Sequence, residues 1–340
     1  MVSLPTALID AIVLGLALVL ILASSELFTN GVEWLGQKLQ LSEGVVGSIL
    51  AAVGTALPET LIPIVAVTCR SGEFHDIGIG AIAGAPFMLS TLTMCVCGLA
   101  VLIFSRSGRR AAELNYNRTV LSRDLSFFLL AYALGLSATL ASGLPAIRQV
   151  IAFCLLLIYL VYLKVSFAHE GEVGEAPEKL YFERLLRTGG GLAIVILQVV
   201  AGLGGILMGA NLFVDHIYSL ASIIHVPSVI LAMLISPIAT ELPEKCNSVL
   251  WVRAKKDTLA LGNITGAMVF QACFPVAFGV AFTKWDLGWG TLLSGAVALF
   301  SASMFLILIR KNMLNYKFML LGGIFYSIIV GYLLYYHLTD

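Results

Sequence analysis

Long apolar segments recur along the whole chain, and they restrict its possible folds more than any other feature. Several are close to 20 residues long, the length that a helix needs to cross about 30 Å of hydrocarbon. Hydrophobic residues make up 59% of the chain and charged residues only 12%, whereas soluble domains carry about 25% charged residues. The segments are continuous rather than alternating, which favours helices over a closed barrel. We therefore predict an all-α membrane protein.

Ten of these segments are long enough to be drawn as membrane spans. They lie at about residues 5–33, 43–69, 75–105, 123–144, 147–168, 188–215, 226–252, 257–283, 288–309 and 315–337. Several exceed 20 residues, so some spans are expected to be tilted or broken. The longest polar segment, residues 169–187, contains five glutamates and is too short for a folded domain. We interpret it as a solvated linker between two five-span halves, residues 1–168 and 188–340.

Lysine and arginine are distributed unevenly between alternate loops. If the N-terminus lies outside, 16 of the 20 basic residues fall in or beside loops on the inner side of the membrane. Cytoplasmic loops carry such an excess of basic residues. We therefore predict a multi-pass protein of the cell membrane with both termini outside and a cytoplasmic linker. The net charge is zero, so no nucleic-acid partner is implied, and we expect a monomer in the lipid bilayer.

The two halves resemble each other in sequence. Residues 27–59 align without gaps to residues 212–244, with seven identities in 33 positions, and both segments end in Leu-Pro-Glu. After a three-residue shift, GAIAGA at residues 80–85 matches GNITGA at residues 262–267. Repeats of five spans, an odd number, must insert in opposite orientations, as in many secondary transporters with a binding site near the midplane. The sequence thus predicts ten transmembrane helices arranged as two inverted repeats of five.

Glu59 and Glu244 occupy equivalent positions in the two repeats, each directly after Leu-Pro and each inside an apolar span. Ionisable groups inside a membrane are costly, and they usually face a cavity and mark ion or proton pathways. For one such glutamate, a buried neutral carboxyl group or a helix N-cap is a strong alternative. The repetition favours a binding site in which both carboxylates are ligands.

A proline precedes each of these glutamates, Pro58 in the second span and Pro243 in the seventh. Proline lacks a backbone N–H and clashes with the preceding turn, so we expect both helices to break there and to free carbonyl oxygens. Thr55 and Thr240 add hydroxyl groups at matching positions. A divalent cation such as Ca²⁺ takes several ligands from carboxylates, carbonyls and water. The prolines alone are weak evidence, because packing kinks are common in membrane helices.

The motif Gly-x-Ile-x-Gly-Ala recurs in the third and eighth spans, which we also expect to be broken. Small residues at this spacing allow helices to approach closely, and close packing alone would account for them. In the functional alternative, the glycines bring these spans against the second and seventh, and Asn263 and Gln271 offer neutral oxygens near the site. Their counterparts in the first half are Ala81 and Leu89, so this contribution is asymmetric.

Glu241 and Lys245 are further ionisable residues of the seventh span, without charged counterparts in the first half. They are four residues apart with the glutamate first, which is the favourable order for an ion pair on a helix, although Pro243 lies between them. If they pair, their charges cancel, and Glu59 and Glu244 provide the net binding charge. If they do not pair, Glu241 is an additional ion ligand or a proton carrier.

Around the two Leu-Pro-Glu motifs, at VVGSILAAVGTALPETLIPIVA and VILAMLISPIATELPEKCNSVLWV, the chain resembles the sodium/calcium exchanger family of the cation/calcium antiporter superfamily. That family carries two repeats, each with a G-T-S-L-P-E-like core in one broken helix and a G-N-x-x-G-S-N-like core in the next. The resemblance covers nearly the whole chain. It implies that Glu59 and Glu244 are the central cation ligands, with Thr55 and Thr240 beside them. It also implies alternating access by sliding of the first and sixth spans against the rest.

The chain departs from the family pattern at several hydroxyl positions. The serine after each motif threonine is Ala56 in the first repeat and Glu241 in the second, and the serine after the second glycine is Ala85 and Ala267. In the family, several of these hydroxyls belong to sodium sites. A proton-coupled carrier is therefore the main alternative, because a proton needs only a carboxyl group to bind it.

Together these features predict a secondary active antiporter that exchanges Ca²⁺ or a related divalent cation for Na⁺, or alternatively for H⁺, by alternating access at a midplane carboxylate site. The predicted cation ligands are Glu59, Glu244, Thr55, Thr240, Glu241, Asn263 and Gln271. No nucleotide-binding motif is visible, so an ion gradient drives transport and no cofactor is expected. We expect no enzyme, because the H-E-x-x-H helix of intramembrane metalloproteases is missing. A cation channel remains as a further alternative that the repeat architecture disfavours.

Overall fold

The architecture is that of a computed structural model, which describes residues 4–38, 51–68, 74–167, 179–186 and 191–339. In these ranges every regular element is helical, so the predicted all-α class is confirmed there. The α-helices are α1 (Leu4–Lys38), α2 (Ala51–Thr68), α3 (Phe74–Met88), α4 (Met94–Arg106), α5 (Arg118–Ser137), α6 (Pro145–Phe167), α7 (Tyr181–Leu186), α8 (Leu192–Ile224), α9 (Ser228–Thr240), α10 (Leu242–Arg253), α11 (Asp257–Phe282), α12 (Trp289–Arg310) and α13 (Tyr316–Thr339).

Eight helical segments of the described chain are long and apolar enough to cross a membrane. They are Ala7–Val32, Phe74–Arg106, Arg118–Ala141, Pro145–Ser166, Leu192–Ile224, Asp257–Phe282, Trp289–Arg310 and Tyr316–Tyr335. Two further apolar segments, Glu59–Thr68 and Ser228–Ile238, are shorter. The helices therefore fit a multi-pass membrane protein, while the ten-span count and the inverted repeats remain predictions. Much of the predicted linker lies outside the described residues, which include only its part at 179–186.

The third span is interrupted, as expected, where α3 passes into a π-helical turn at Leu89–Thr93 and then into α4. Pro86, near the end of α3, has no backbone N–H to donate. Hydroxyl groups in the wide turn donate back to the preceding turn, Ser90 Oγ to the carbonyl oxygen of Pro86 at 2.8 Å and Thr91 Oγ1 to that of Phe87. These hydroxyl groups give hydrogen bonds to carbonyl oxygens at the point where the backbone changes from α-helical to π-helical hydrogen bonding.

The seventh span is also broken, at the position that the sequence predicted. Helix α9 ends at Thr240, Glu241 has φ −93° and ψ 8°, and α10 begins at Leu242. Pro243 lies in the first turn of α10, where a backbone N–H has no partner inside the helix in any case. The break therefore places Glu241 at the junction of two helices.

Two predicted breaks are not found in the described ranges. Helix α2 runs without interruption past Pro58, and α11 runs without interruption past Pro275. An interior proline removes one intrahelical hydrogen bond, and neighbouring helices can keep the flanking turns in line. The prediction of broken second and eighth helices is therefore wrong over these residues.

The two longest helices, α1 and α8, pack against each other along much of their length. Glycines of α8 face this interface. A Cβ atom added at Gly202 would lie 2.8 Å from the backbone of Phe28, and one at Gly209 would lie 2.6 Å from the side chain of Ile21. The close approach of the two helices therefore depends on these glycines.

The other helices are arranged around α2, α3, α9, α10 and α11. Helix α3 packs on α2 and α9, α11 packs on α5, α6 and α10, α12 packs on α5, and α13 packs along α4. A Cβ atom at Gly80 or Gly84 would clash with the backbone of α9, at Val229 and Met233. The first glycine motif thus brings the third span against the seventh, as the functional alternative predicted. At Gly262, in the second motif, an added Cβ would meet no described neighbouring atom within 4 Å.

Candidate functional site

A group of buried ionisable side chains lies where α2, the break between α9 and α10, and α11 come together. Glu59 comes from α2, Glu241 from the break and Glu244 from the first turn of α10, and these residues are 6%, 0% and 6% exposed. Glu59 is close enough to both other carboxylates to be repelled by them. We call Glu59, Glu241, Glu244, Lys245 and Gln271 the carboxylate cluster.

Gln271 connects the two sides of the carboxylate cluster. It is buried in α11, and its Nε2 atom donates a hydrogen bond to Glu59 Oε1 at 3.3 Å. The same side chain also interacts with the Glu241 carboxylate. An amide group carries both donor and acceptor atoms, so Gln271 can lie between two acids without adding charge. The structure therefore places this predicted site residue beside both carboxylates.

Glu241 and Lys245 form an ion pair, so the structure contains the first of the two arrangements that the sequence left open. Nζ of Lys245 lies 3.1 Å from Glu241 Oε2, 3.0 Å from the carbonyl oxygen of Pro237 and 3.2 Å from Sδ of Met88. An ammonium group has three donors, and each has an acceptor here. Met88 belongs to α3, and no signal in the sequence pointed to it as a partner.

Three other predicted ligands lie at the edge of the cluster or outside the described atoms. Asn263 Nδ2 donates to the backbone carbonyl of Glu244 at 3.1 Å. The Thr240 hydroxyl is buried and donates to the carbonyl of Ser236 at 3.1 Å. These bonds hold Asn263 against α10 and Thr240 along α9, and both side chains keep an oxygen that can accept. The side chain of Thr55 lies outside the described residues.

Four oxygen atoms of the carboxylate cluster are buried without a hydrogen-bond partner. They are Oε2 of Glu59, Oε1 of Glu241, Oε2 of Glu244 and Oε1 of Gln271, which is half of the eight such side-chain atoms in the described part of the chain. An unpaired buried polar atom costs about 1–3 kcal/mol, and more on a charged group. Unpaired oxygens gathered in one place suit a cation, which binds oxygen lone pairs and needs no donor hydrogen.

The cluster does not have the geometry of a resident metal centre. Within the described residues, no three Asp, Glu, His or Cys side chains converge as a metal site would require. Glu241 is instead held by Lys245, and Glu59 by Gln271.

Two other acids are buried within apolar helices, and no sequence signal singled them out. Asp10 in α1 is bonded at one carboxylate oxygen by His216 at 2.7 Å and at the other by Ser219 Oγ at 2.6 Å. Asp124 in α5 is likewise bonded at both oxygens, by side chains of α5 and α11. In both acids, each carboxylate oxygen therefore has a hydrogen-bond partner. Unpartnered oxygens, rather than burial alone, therefore distinguish the carboxylate cluster.

Comparison with known proteins identifies a relative in sequence and two solved structures of similar fold. The sodium/calcium exchanger MaX1 of Methanosarcina acetivorans is 25% identical over 295 residues, which cover 77% of this chain and 79% of MaX1. The structure of the H⁺/Ca²⁺ exchanger CAX matches with a TM-score of 0.69 and 17% identity, over 98% of this chain and 87% of CAX. The structure of the sodium-calcium exchanger NCX_Mj matches with a TM-score of 0.56 and 19% identity, over 96% of this chain and 99% of NCX_Mj.

The family model described as sodium/calcium exchanger protein matches residues 9–168 and 194–338. This match includes both halves of the chain and confirms the resemblance that the two Leu-Pro-Glu motifs indicated. The protein therefore belongs to the sodium/calcium exchanger family.

Proposed function

We propose that the protein is a secondary active antiporter that exchanges Ca²⁺, or a related divalent cation, for Na⁺ at the carboxylate cluster. One observation carries this function: Glu59, Glu244 and Gln271 each keep a buried, unpartnered oxygen beside a break in an apolar helix. Ionisable groups placed in this way inside a membrane protein usually mark an ion pathway. The family is one of exchangers rather than of enzymes, and the gradient of the counter-ion supplies the driving force.

Glu59 and Glu244 supply the central ligands in this proposal. Ca²⁺ takes about 6–8 oxygen ligands at about 2.3–2.6 Å, in flexible geometry and with waters included. Gln271 Oε1 and Glu241 Oε1 lie in the same cluster and add to that set. Thr55 and Thr240 contribute hydroxyl oxygens from the two repeats, and Asn263 positions α10 through its bond to the Glu244 backbone.

Helix pairings support two inverted repeats of five spans. Helix α4 packs on α13 as α11 packs on α6, and α12 packs on α3 as α5 packs on α11. The pairing of α2 with α3 likewise has a counterpart in α10 with α11, and α1 pairs with α8. Each of these pairings therefore has a counterpart when every span of one half is replaced by the corresponding span of the other half. We propose ten spans in a cell-membrane monomer, with α2 and the α9–α10 pair as the second and seventh.

The packing of α1 and α8 supports alternating access by sliding. These two helices contact each other most extensively, and their other contacts are chiefly with α2, α3, α7 and α9. The α1–α8 pair can therefore move as one unit past the helices that carry the carboxylates. Such motion would open the carboxylate cluster to one side of the membrane at a time.

Proton coupling is the alternative to sodium coupling. Ala85 and Ala267 stand where the family pattern has serines, which removes hydroxyl ligands that a sodium ion would use. A proton requires only a carboxyl group, and Glu59 and Glu244 provide two. The fold is shared with both an H⁺/Ca²⁺ exchanger and a sodium-calcium exchanger, so the fold is compatible with either counter-ion.

Transport by the purified protein in liposomes tests this function. We expect saturable Ca²⁺ uptake driven by an outward gradient of Na⁺ or of H⁺, and the effective gradient identifies the counter-ion. Glu59→Gln and Glu244→Gln should each lower the initial rate about 100-fold or more, because even indirect support of a metal ligand is worth about 10–100-fold.

The matched control is Asp286→Asn, the same change from acid to amide at an exposed loop residue outside the cluster, which should leave the rate within about twofold. Normal exchange in both glutamine variants would contradict the site. Flux that does not saturate and shows no counter-transport would instead indicate a channel.

A further inference from the structure

Lys245 has the surroundings that a small cation would have. It is 8% exposed, and its ammonium nitrogen is held by a carboxylate oxygen, a backbone carbonyl oxygen and a thioether sulfur, all within 3.2 Å. Carboxylate and carbonyl oxygens are the ligands that hard cations select. Two of the three contacts of the lysine ammonium are therefore with oxygens of the kind that bind such cations.

This arrangement exists in only one half of the chain. The positions that correspond to Glu241 and Lys245 are Ala56 and Thr60. Relative to the first repeat, the second has gained one acid and one base that pair with each other at 3.1 Å. Leaving one partner of a buried pair alone is costly, so the two residues act as a unit.

The net charge of the cluster follows from its members. The electrostatic neighbours of Glu59 are Glu244 and Glu241, and those of Glu241 and Glu244 include Lys245. With its acids ionised, the described cluster contains three negative charges and one positive charge. Its net charge is therefore minus two.

Building on the proposed antiport, we infer that Lys245 is a tethered cation that occupies one cation position permanently and makes exchange electroneutral. One divalent cation neutralises a charge of minus two, and so do two monovalent ions, whether Na⁺ or H⁺. Both loaded forms then present the same charge to the membrane interior, where any net charge is costly. A third monovalent ion would leave a net positive charge, and Lys245 already fills a position it could use.

The first test measures the wild-type protein in liposomes under a defined membrane potential. The Ca²⁺ gradient at which net flux stops should equal the square of the gradient of the counter-ion and should not change with the potential. A carrier that moves one net charge per cycle would instead shift this balance point about tenfold for every ~60 mV. A shift of that size in the wild-type protein would overturn the inference.

The second test uses Lys245→Met, which keeps an unbranched side chain one heavy atom shorter and removes its charge. The cluster charge becomes minus three, so a third monovalent ion is expected to bind and the balance point should become sensitive to the potential by about tenfold per ~60 mV. The double variant Glu241→Gln with Lys245→Met returns the cluster charge to minus two and should remove that sensitivity, whatever its rate.

The outcomes separate this inference from the proposed function. If the wild-type protein moves no divalent cation against a monovalent gradient, the proposed function itself fails. If it exchanges ions but its balance point depends on the potential, only the electroneutral stoichiometry fails. If a folded Lys245→Met variant remains insensitive to the potential, Lys245 is not the tethered cation. If that variant does not fold, the double variant and the wild-type protein test the inference instead. A balance point that depends on the potential in either of them would overturn it.

Discussion

Among the described residues, the acids buried within apolar helices fall into two groups that differ in how their oxygens are bonded. Both oxygens of Asp10 accept hydrogen bonds, from His216 and from Ser219, which stabilises the side chain without any further ligand. Glu59 and Glu244 each keep one oxygen that accepts none. Such an atom is costly when buried, which supports the proposal that these two glutamates, at matching positions of the two halves, bind a transported cation.

Gln271 should affect ion affinity through Glu59. Gln271→Leu removes the donor to Glu59 Oε1 and one unpartnered oxygen of the cluster. A hydrogen bond to a charged group is worth about 1.5–3 kcal/mol, and about 1.4 kcal/mol corresponds to tenfold. We therefore expect the Ca²⁺ concentration for half-maximal uptake to rise about tenfold or more, as measured from initial rates in liposomes.

Gln149→Leu is the matched control for this prediction. Gln149 is exposed and also donates its amide hydrogen, to the carbonyl oxygen of Ala281 at 3.0 Å, but it lies outside the carboxylate cluster. Its replacement should leave the affinity unchanged. An equal affinity in the wild-type protein and in Gln271→Leu would show that Gln271 does not support the ion site.

The acids of the cluster, together with Gln271 and Lys245, were predictable from the sequence, whereas other contacts between distant helices were not. Glu59 and Glu244 could be identified because ionisable residues are rare inside apolar spans, and because both occupy the same position in the two sequence repeats. Lys245 was visible as the partner of Glu241 by its spacing of four residues. Its contact with Met88 joins residues 157 positions apart, and no local pattern encodes such a contact. Asp10 was missed for the same reason, since its partners lie more than 200 positions away.

At the scale of the helices, proline was an ambiguous signal. The described helices of the predicted core spans contain six prolines, but the regular α-helix is interrupted only after Pro86 and between Pro237 and Pro243. Helices α2 and α11 continue past Pro58 and Pro275. A proline removes one hydrogen bond in every case, and the surrounding packing decides whether the helix breaks. That packing is a tertiary property, which explains why two of the four predicted breaks were wrong.

Glycine gives a sharper prediction at this scale, because the structure shows what each missing Cβ would meet. In Gly202→Ala the new atom would lie 2.8 Å from the backbone of Phe28, which cannot move without moving α1. We expect the variant to lose about 1–3 kcal/mol of stability, measured as a lower midpoint of thermal unfolding in detergent. Exchange should also slow, because the α1–α8 pair is the proposed moving unit.

Gly204, on the same helix, is the matched control. It is exposed, and a Cβ atom there would meet no described neighbouring atom within 4 Å. Alanine also favours the helix over glycine by up to about 1 kcal/mol. Gly204→Ala should therefore be as stable as the wild-type protein or slightly more stable. Equal losses in the two variants would show that helix packing at Gly202 is not the cause.

At the scale of the whole molecule, the helix ends gather in two groups. In one group, Arg110 forms a buried ion pair with Asp257 at 2.6 Å and joins the end of α4 to the turn between α10 and α11. In the other, the backbone N–H of Leu287 donates to Thr139 Oγ1 at 3.1 Å and joins the end of α5 to the start of α12. Connections of this kind indicate two opposite faces of one bundle.

Basic residues are concentrated on the first of these faces. That face includes the basic residues Arg106, Arg109, Arg110, Arg118, Arg253, Lys255, Lys256, Arg310 and Lys311, whereas the second includes Arg148 and Lys284. Cytoplasmic loops carry the excess of lysine and arginine, so we predict that the first face is cytoplasmic. The positions of the basic residues can be read from the sequence. Which loops lie on the same face of the bundle can be read only from the fold.

Cysteine labelling in whole cells tests this orientation. In a chain whose six native cysteines are replaced, Gly143→Cys and Lys256→Cys each introduce one thiol at an exposed position, on the second and the first face respectively. A membrane-impermeant maleimide should label Cys at 143 in intact cells and should label Cys at 256 only after permeabilisation. Both thiols are exposed, so a difference in labelling reports the side of the membrane rather than burial. The reverse pattern would invert the predicted topology, and equal labelling of both in intact cells would show that the two groups of helix ends do not lie on opposite sides of the bilayer.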